Sequence, residues 1–249
     1  MQFGGLRALD GLDLIVRPQE IVALIGPNGA GKTTLFNCVT GIYKPVRGDV
    51  HLTTADGRTL NINGLKPNRI TAHGVARTFQ NIRLFPYMTV LENVMIGRHC
   101  RMKAGIPGAI LRDRKTRLEE EKAVSDSYEL LQKFHLDRHA NEPAKNLPYG
   151  AQRRLEVARA MATEPLILLL DEPAAGMNVQ ETRELDEMIV NLRDVEGKAI
   201  LLIEHDMRLV MSLSDRIYVI DYGKKIAEGT PSEVSRDPAV IKAYLGEPV

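Results

Sequence analysis

Eight consecutive residues, Gly26-Pro27-Asn28-Gly29-Ala30-Gly31-Lys32-Thr33, have the types and the spacing to hold a row of phosphates. They match the pattern G-x-x-x-x-G-K-[ST] in full. The glycines let successive backbone N–H groups turn inward onto phosphate oxygens with no side chain in the way. Lys32 brings a point charge to the outer phosphates, and Thr33 brings a hydroxyl for Mg²⁺. A helix opening beside Gly31 adds the positive end of its dipole. A second acidic site follows far downstream, where Ile167-Leu168-Leu169-Leu170 runs into Asp171-Glu172. A buried strand ending there presents Asp171 to the water shell of Mg²⁺. Glu172, one residue on, is placed to orient and deprotonate an attacking water. The loop by itself speaks only for nucleotide binding; the acidic pair adds hydrolysis.

These groups need a scaffold that brings distant segments to one edge. Ile21–Ile25 is a short apolar, β-branched run that stops at Gly26, the pattern of a strand buried on both faces. Lys32–Thr40 then reads as a helix closed by Gly41. Leu166–Leu170 and Ala199–Ile203 repeat the apolar pattern, and each ends in polar residues, Asp171-Glu172 and Glu204-His205. Buried strands with functional groups at their C-terminal ends, alternating with helices, predict an α/β domain with its site along one sheet edge. Leu12–Val16 and Gly48–Asn63 alternate and carry turn residues, which predicts an antiparallel layer. Arg216–Ile220 and Lys224–Ala227 flank Asp221-Tyr222-Gly223 as a hairpin. From about Val90 to Arg138 the chain reads as helices, with a long charged one from roughly Asp113 to Phe134. Leu118, Val124, Tyr128 and Leu131 are read as its apolar stripe.

Composition restricts the class of partner. In 249 residues, 33 Lys+Arg balance 32 Asp+Glu, for a net charge of +1, so no basic excess is available for nucleic acid. The apolar runs are far shorter than the ~20 residues a membrane helix needs. No charged segment followed by an apolar run opens the chain as a secretory signal would. Cys38 and Cys100 are too few for a disulfide framework and lack metal-ligand spacing. A cytosolic protein that docks on a membrane rather than crossing it fits these features. The basic stretch from Arg98 to Arg117 reads as a solvated face.

The phosphate loop, Gln80 after an apolar stretch, Leu147-Pro148-Tyr149-Gly150-Ala151-Gln152, the Asp171-Glu172 strand and His205 occur in the order of an ATP-binding-cassette ATPase. The chain resembles that family over nearly its whole length. The resemblance implies one cassette domain over residues 1–249: an α/β P-loop core with a mixed or parallel sheet, an antiparallel β layer and an inserted helical subdomain. The core would be residues 1–85 and 155–249, and the helical subdomain residues 86–154. It implies ATP and Mg²⁺ as ligands, with Asn28, Gly29, Ala30, Gly31, Lys32, Thr33 and Thr34 around the phosphates and Phe3 against adenine. Thr33, Gln80 and, through water, Asp171 would hold the metal. Glu172, His205 and Lys32 would be catalytic. Residues 147–152 would complete an ATP site on an opposing subunit, and Ala175-Gly176-Met177-Asn178 would contact that subunit. Taken singly, Gln80 reads as a solvated loop residue, His205 as a structural histidine and Phe3 as an ordinary hydrophobe.

Finer details resemble one branch, the ATP-binding subunits of branched-chain amino acid importers. They are Phe3-Gly4-Gly5-Leu6, Arg77-Thr78-Phe79-Gln80, Gln152-Arg153-Arg154-Leu155-Glu156, Glu172-Pro173-Ala174-Ala175-Gly176, Glu204-His205-Asp206-Met207 and Ala243-Tyr244-Leu245-Gly246. Such systems pair two different ATPases with two permeases and an extracytoplasmic binding protein, on the inner face of the cell membrane. Lipopolysaccharide export and non-transport members are the alternatives weighed. A single cassette with a short insertion argues against the chromosome and ribosome types. Two departures stand out. The signature usually reads L-S-G-G-Q, and here Pro148, Tyr149 and Ala151 replace the serine, a glycine and the glutamine. The site it completes is expected to hydrolyse ATP more slowly than its counterpart. The family also usually places a strand ahead of the adenine-facing ring, whereas this sequence opens at Met1-Gln2-Phe3; a truncated start or a less closed adenine side would explain it.

Overall fold

The computed structural model describes residues 1–102 and 114–245. Its centre is a six-stranded sheet, built from β3 (Ile21–Ile25), β6 (Val75–Arg77), β7 (Ile167–Asp171), β8 (Ala199–Ile203), β9 (Arg216–Asp221) and β10 (Lys224–Gly229). In space the order is β10-β9-β3-β8-β7-β6. All neighbours are parallel except β9 and β10, the hairpin read from the sequence. Tyr222 and Gly223 turn it with positive φ angles of 42° and 77°.

Every residue of β3 and β8 is buried, as a parallel strand covered on both faces requires. Alternate side chains enter different cores. Leu168, Leu170, Ile200 and Leu202 pack with the helical side, while Leu169, Leu201 and Ile203 pack with Phe36 of α1 (Lys32–Val39). The helical side consists of α3 (Val90–Arg98), α4 (Arg114–Lys133) and α5 (Tyr149–Met161); α2 (Pro67–Ala72) leads into β6. Helix α6 (Val179–Asp194) follows β7, α7 (Met207–Leu213) follows β8, and α8 (Pro231–Val234) and α9 (Pro238–Leu245) close the described chain. Helix α5 runs unbroken through residue 154, where the sequence reading divides core from helical lobe.

Two expectations are corrected. Leu12–Val16 forms no strand; Leu12, Leu14 and Val16 pack as irregular chain against the Phe36 core. The antiparallel pairing expected over Gly48–Asn63 does form, as β4 (His51–Thr53) with β5 (Thr59–Asn61), beside a second small pair, β1 (Gln2–Phe3) with β2 (Leu6–Arg7). Alternation marks half-buried chain, and that chain need not hydrogen-bond into a sheet. In α4, Leu118, Val124 and Tyr128 are exposed, and only Leu131 of the expected stripe is buried. The inner face carries Thr116, Ala123, Ser127 and Leu131, whose positions share one side of a 3.6-residue helix. Small residues let α4 lie close to α3, so size decides this face and hydropathy misreads it. The expected helix start at Asp113, residues 103–113 of the basic stretch, and Gly246 of the C-terminal motif lie outside the described residues.

Leu202 is fully buried in the central strand pair. Leu202→Ala is expected to cost about 2–5 kcal/mol, read as a fall in the urea midpoint at unchanged slope.

Candidate functional site

Because β3, β8, β7 and β6 are parallel, their C-terminal ends face one edge, and each releases a segment with chemistry. Strand β3 ends at Ile25, and the phosphate loop begins. Its shape is fixed by close backbone packing. A Cβ at Gly26 would lie 2.0 Å from the Ile220 carbonyl oxygen, and one at Gly31, with φ 107°, 2.4 Å from the Ala8 carbonyl oxygen. No other residue fits either place. The Gly223 N–H also donates to the Ala30 carbonyl, tying the loop to the β9–β10 turn. Lys32 opens α1 with its Nζ donating to the Gly26 and Pro27 carbonyls at 2.5 and 2.9 Å. Burial lowers its pKa, opposed by Glu172 and Asp171. Asn28, Gly29 and Thr33 are exposed on the outer side of the loop, and Ala30 is buried beneath it.

Strand β7 delivers Asp171, almost wholly buried, and its Oδ2 accepts from Arg77 Nη2 at 2.7 Å. Arg77 also donates to Asn37 Oδ1 and lies over the Phe36 and Phe79 rings. Glu172, next in the chain, has a positive φ of 49°, an uncommon conformation for a residue with a side chain. That turn sends its carboxylate out between two partners. Gln80 Nε2 donates to Oε2 at 3.0 Å, and His205 Nε2 lies 2.7 Å from Oε1. Gln80, Glu172 and His205, separated by up to 125 positions, are thus assembled at one carboxylate.

Residues whose importance the sequence does not advertise complete the arrangement. Glu204, buried at the end of β8, accepts from the Ala174 N–H at 2.9 Å and from the His205 N–H at 3.1 Å. It binds the segment after Glu172 to the segment carrying His205, and burial raises its pKa. Asp186 on α6 faces it. Burial first, then Glu204, Asp206 and Glu187, push its pKa from 3.8 to about 6. Arg77, Glu204 and Asp186 carry no motif of their own; their partners lie 94, 30 and 18 positions away, so no local spacing marks them.

The signature segment sits at the start of α5. Leu147 is buried, Pro148 and Tyr149 are exposed, and Gly150 and Ala151 are buried. Gly150 packs closely against α6, where a Cβ would meet Glu181 Oε1 at 2.4 Å and push that side chain aside. Gln152 folds its amide back onto the Leu147 carbonyl. Pro148 caps the helix without a side-chain hydrogen bond, so the first N–H groups of α5 keep no side-chain partner. Phe3 is half-exposed on β1, with Tyr43 packed edge-on against it at 5.2 Å.

A phosphate loop leaving one buried strand and a carboxylate pair leaving another define a P-loop nucleoside triphosphatase. A family model described as ABC transporter matches residues 9–175. A second, described as branched-chain amino acid ATP-binding cassette transporter, matches residues 224–249. The chain belongs to the ABC transporter family, as one of its ATPases. It is 51% identical over 247 residues to the high-affinity branched-chain amino acid transport ATP-binding protein LivG of Escherichia coli K12, covering 99% of this chain and 95% of that protein. A nucleotide-free ATP-binding cassette from an ABC transporter superposes with a TM-score of 0.83 at 30% identity, covering 99% of this chain and 96% of that one. An ADP conformation of such a cassette gives 0.82, again at 30% identity, over 99% and 96% of the two chains. An ATPase of this family binds ATP and ADP, dimerises and works with membrane permeases. Among the described residues no helix is long and apolar enough to cross a membrane.

The carboxyl of Asp186 holds its proton more tightly in the fold than in the unfolded chain, so stability from this group falls as pH rises from about 4 to 6. Asp186→Asn should therefore gain thermal stability relative to the parent as pH rises through that window, in unfolding scans at a series of pH values.

Proposed function

We propose that this chain is the ATP-hydrolysing subunit of a branched-chain amino acid importer, held on the cytoplasmic face of the cell membrane. The Glu172 carboxylate, bracketed by Gln80 and His205 beside the phosphate loop, carries the catalytic part of the reading. The identity to LivG and the match of the C-terminal segment support the cargo.

ATP would lie with its phosphates on the N–H groups of Asn28–Thr34 and its adenine on the ring of Phe3, which Tyr43 supports from the side. Thr33, Gln80 and Asp171 offer the oxygen ligands that Mg²⁺ takes. Arg77 occupies Oδ2 of Asp171, leaving Oδ1 for a water of the metal shell. Bound there, Mg²⁺ supplies positive charge to the β- and γ-phosphate oxygens. Glu172 takes the proton of the attacking water, while Gln80 and His205 fix its two oxygens in direction. Lys32 stabilises charge that develops on the γ-phosphate. The exposed start of α5 faces the nucleotide held by an opposing ATPase, with Ala175–Asn178 against that subunit. Hydrolysis removes the bridging phosphate and lets the pair open, a ligand-driven shift between two arrangements.

Residues 86–154 would act as the helical lobe. The groove around Gln80 would meet the permease and transmit the opening of the pair to it. The working assembly in this reading has two permeases, a second and different ATPase, and an extracytoplasmic binding protein. Co-purification from the native membrane, with identification of what travels with the chain, tests that assembly. Recovery without any permease would overturn it.

Glu172→Gln should bind ATP normally while turnover falls by about 100-fold or more, in a nucleotide-binding titration beside a phosphate-release assay. Near-normal turnover would remove Glu172 from the role of base. Pro148 leaves no hydroxyl for the opposing γ-phosphate, so Pro148→Ser should raise the ATPase rate of the assembled pair, and an unchanged rate would show that the two sites are not unequal for this reason.

A further inference from the structure

Arg153 has no part in the scheme above, yet its guanidinium is the most heavily engaged buried group between the signature helix and the loops at the site. It lies one turn along α5 and is almost wholly buried. Its Nη1 donates to the Phe79 carbonyl at 2.9 Å and its Nη2 to the carbonyl of Gln80. Its Nε donates to the Tyr149 hydroxyl at 3.2 Å, and that hydroxyl donates in turn to the Ala175 carbonyl at 2.9 Å. On its remaining side Nη1 meets Glu156 Oε2 at 3.3 Å, while Glu156 Oε1 accepts from the Arg83 N–H. Glu156 is as deeply buried, and burial raises its pKa. The Tyr149 ring also lies beneath a close approach of Gly176, where a Cβ would stand 3.2 Å away.

Three segments meet on this one side chain: the start of α5, the loop 79–83, and the loop that begins at Ala175. Bonds from an ionised donor to carbonyls in a buried place are strong and directional. Only a planar fork can reach two successive carbonyls, a hydroxyl and a carboxylate at once; an ammonium is a single point charge. A displacement of Phe79 or Gln80 therefore moves α5 with it or breaks several buried bonds together. Gln80 is also the donor to Glu172.

We propose that Arg153, with Tyr149 and Glu156 as its supports, is a positioning residue that locks the Gln80 loop to the signature helix, so that both shift as one body. Movement at the permease-facing groove then reaches the Glu172 carboxylate and the exposed start of α5 in a single step. This rests on the reading of Gln80 and Glu172 given above.

The test uses the transporter assembly purified from its membrane, carrying this chain as parent, Arg153→Lys, Gln80→Ala, the double variant, or Glu172→Gln. Arg153→Lys keeps the charge against Glu156 and so avoids leaving a buried carboxylate unpaired. It should lower kcat by about tenfold with KM for ATP within about twofold, because the phosphate loop is untouched. Adding it to Gln80→Ala should cause no further loss, since Arg153 acts through that loop. Arg153→Lys with parental kcat, a matching rise in KM, or losses that multiply in the double variant would overturn the inference. If any of these occurs while Glu172→Gln is inactive, the functional reading stands without the lock. If Glu172→Gln hydrolyses ATP normally, that reading falls and takes the lock with it.

Discussion

Burial of the parallel strands on both faces is the constraint from which the rest follows. A strand with no solvated face cannot carry function along its length, so function collects where the strand emerges. Four neighbouring strands emerge at one edge, and the chain places there a phosphate loop, Asp171-Glu172, Glu204-His205 and the loop leading to Gln80. Register sets the spacing. Pairing of Asp171 with Ile203 puts Glu172 and Glu204 one step beyond a common level, and the Glu172 N–H donates to the Ile203 carbonyl.

At that edge negative charge is concentrated and each carboxylate is handled differently. Asp171 is neutralised by Arg77, whose flat guanidinium lies over the rings of Phe36 and Phe79. Glu172 is exposed enough to react and is directed by Gln80 and His205. Glu204 is buried and satisfied by two backbone N–H groups, a structural use of the same chemistry. Asp186 is left with Oδ1 buried and unpaired, and its raised pKa reflects that position. Environment, more than residue type, sets these carboxylates apart.

Much of this is legible in the sequence for a physical reason. The phosphate loop must be contiguous, because successive N–H groups make it, and the buried strands announce themselves as β-branched and leucine runs. Strand β6 is only three residues long and falls below that signal. Leu12–Val16 alternates like a strand because one side is covered, but it finds no ladder partner. Helix α4 hides its inner face from a hydropathy pattern because small polar residues, Thr116 and Ser127, occupy it. Order in the family pattern marks Gln80 and His205 as site candidates, but their meeting on the Glu172 carboxylate is created only by folding. Arg77, Arg153 and Glu204 sit inside family-like runs of sequence, but their roles arise from contacts with distant segments that only folding creates.

The phosphate loop is walled by backbone from both ends of the chain. Ala8 stands against Gly31, and Ile220 and Gly223 stand against Gly26 and Ala30. The loop's own residues are therefore not all that limits its tolerance to redesign. A change that shifts the N-terminal segment or the β9–β10 turn reshapes the cradle from behind, with every phosphate-facing residue still in place. Tags, fusions and loop exchanges near residues 8 or 220–223 act on the nucleotide site itself, although the sequence positions look remote from it.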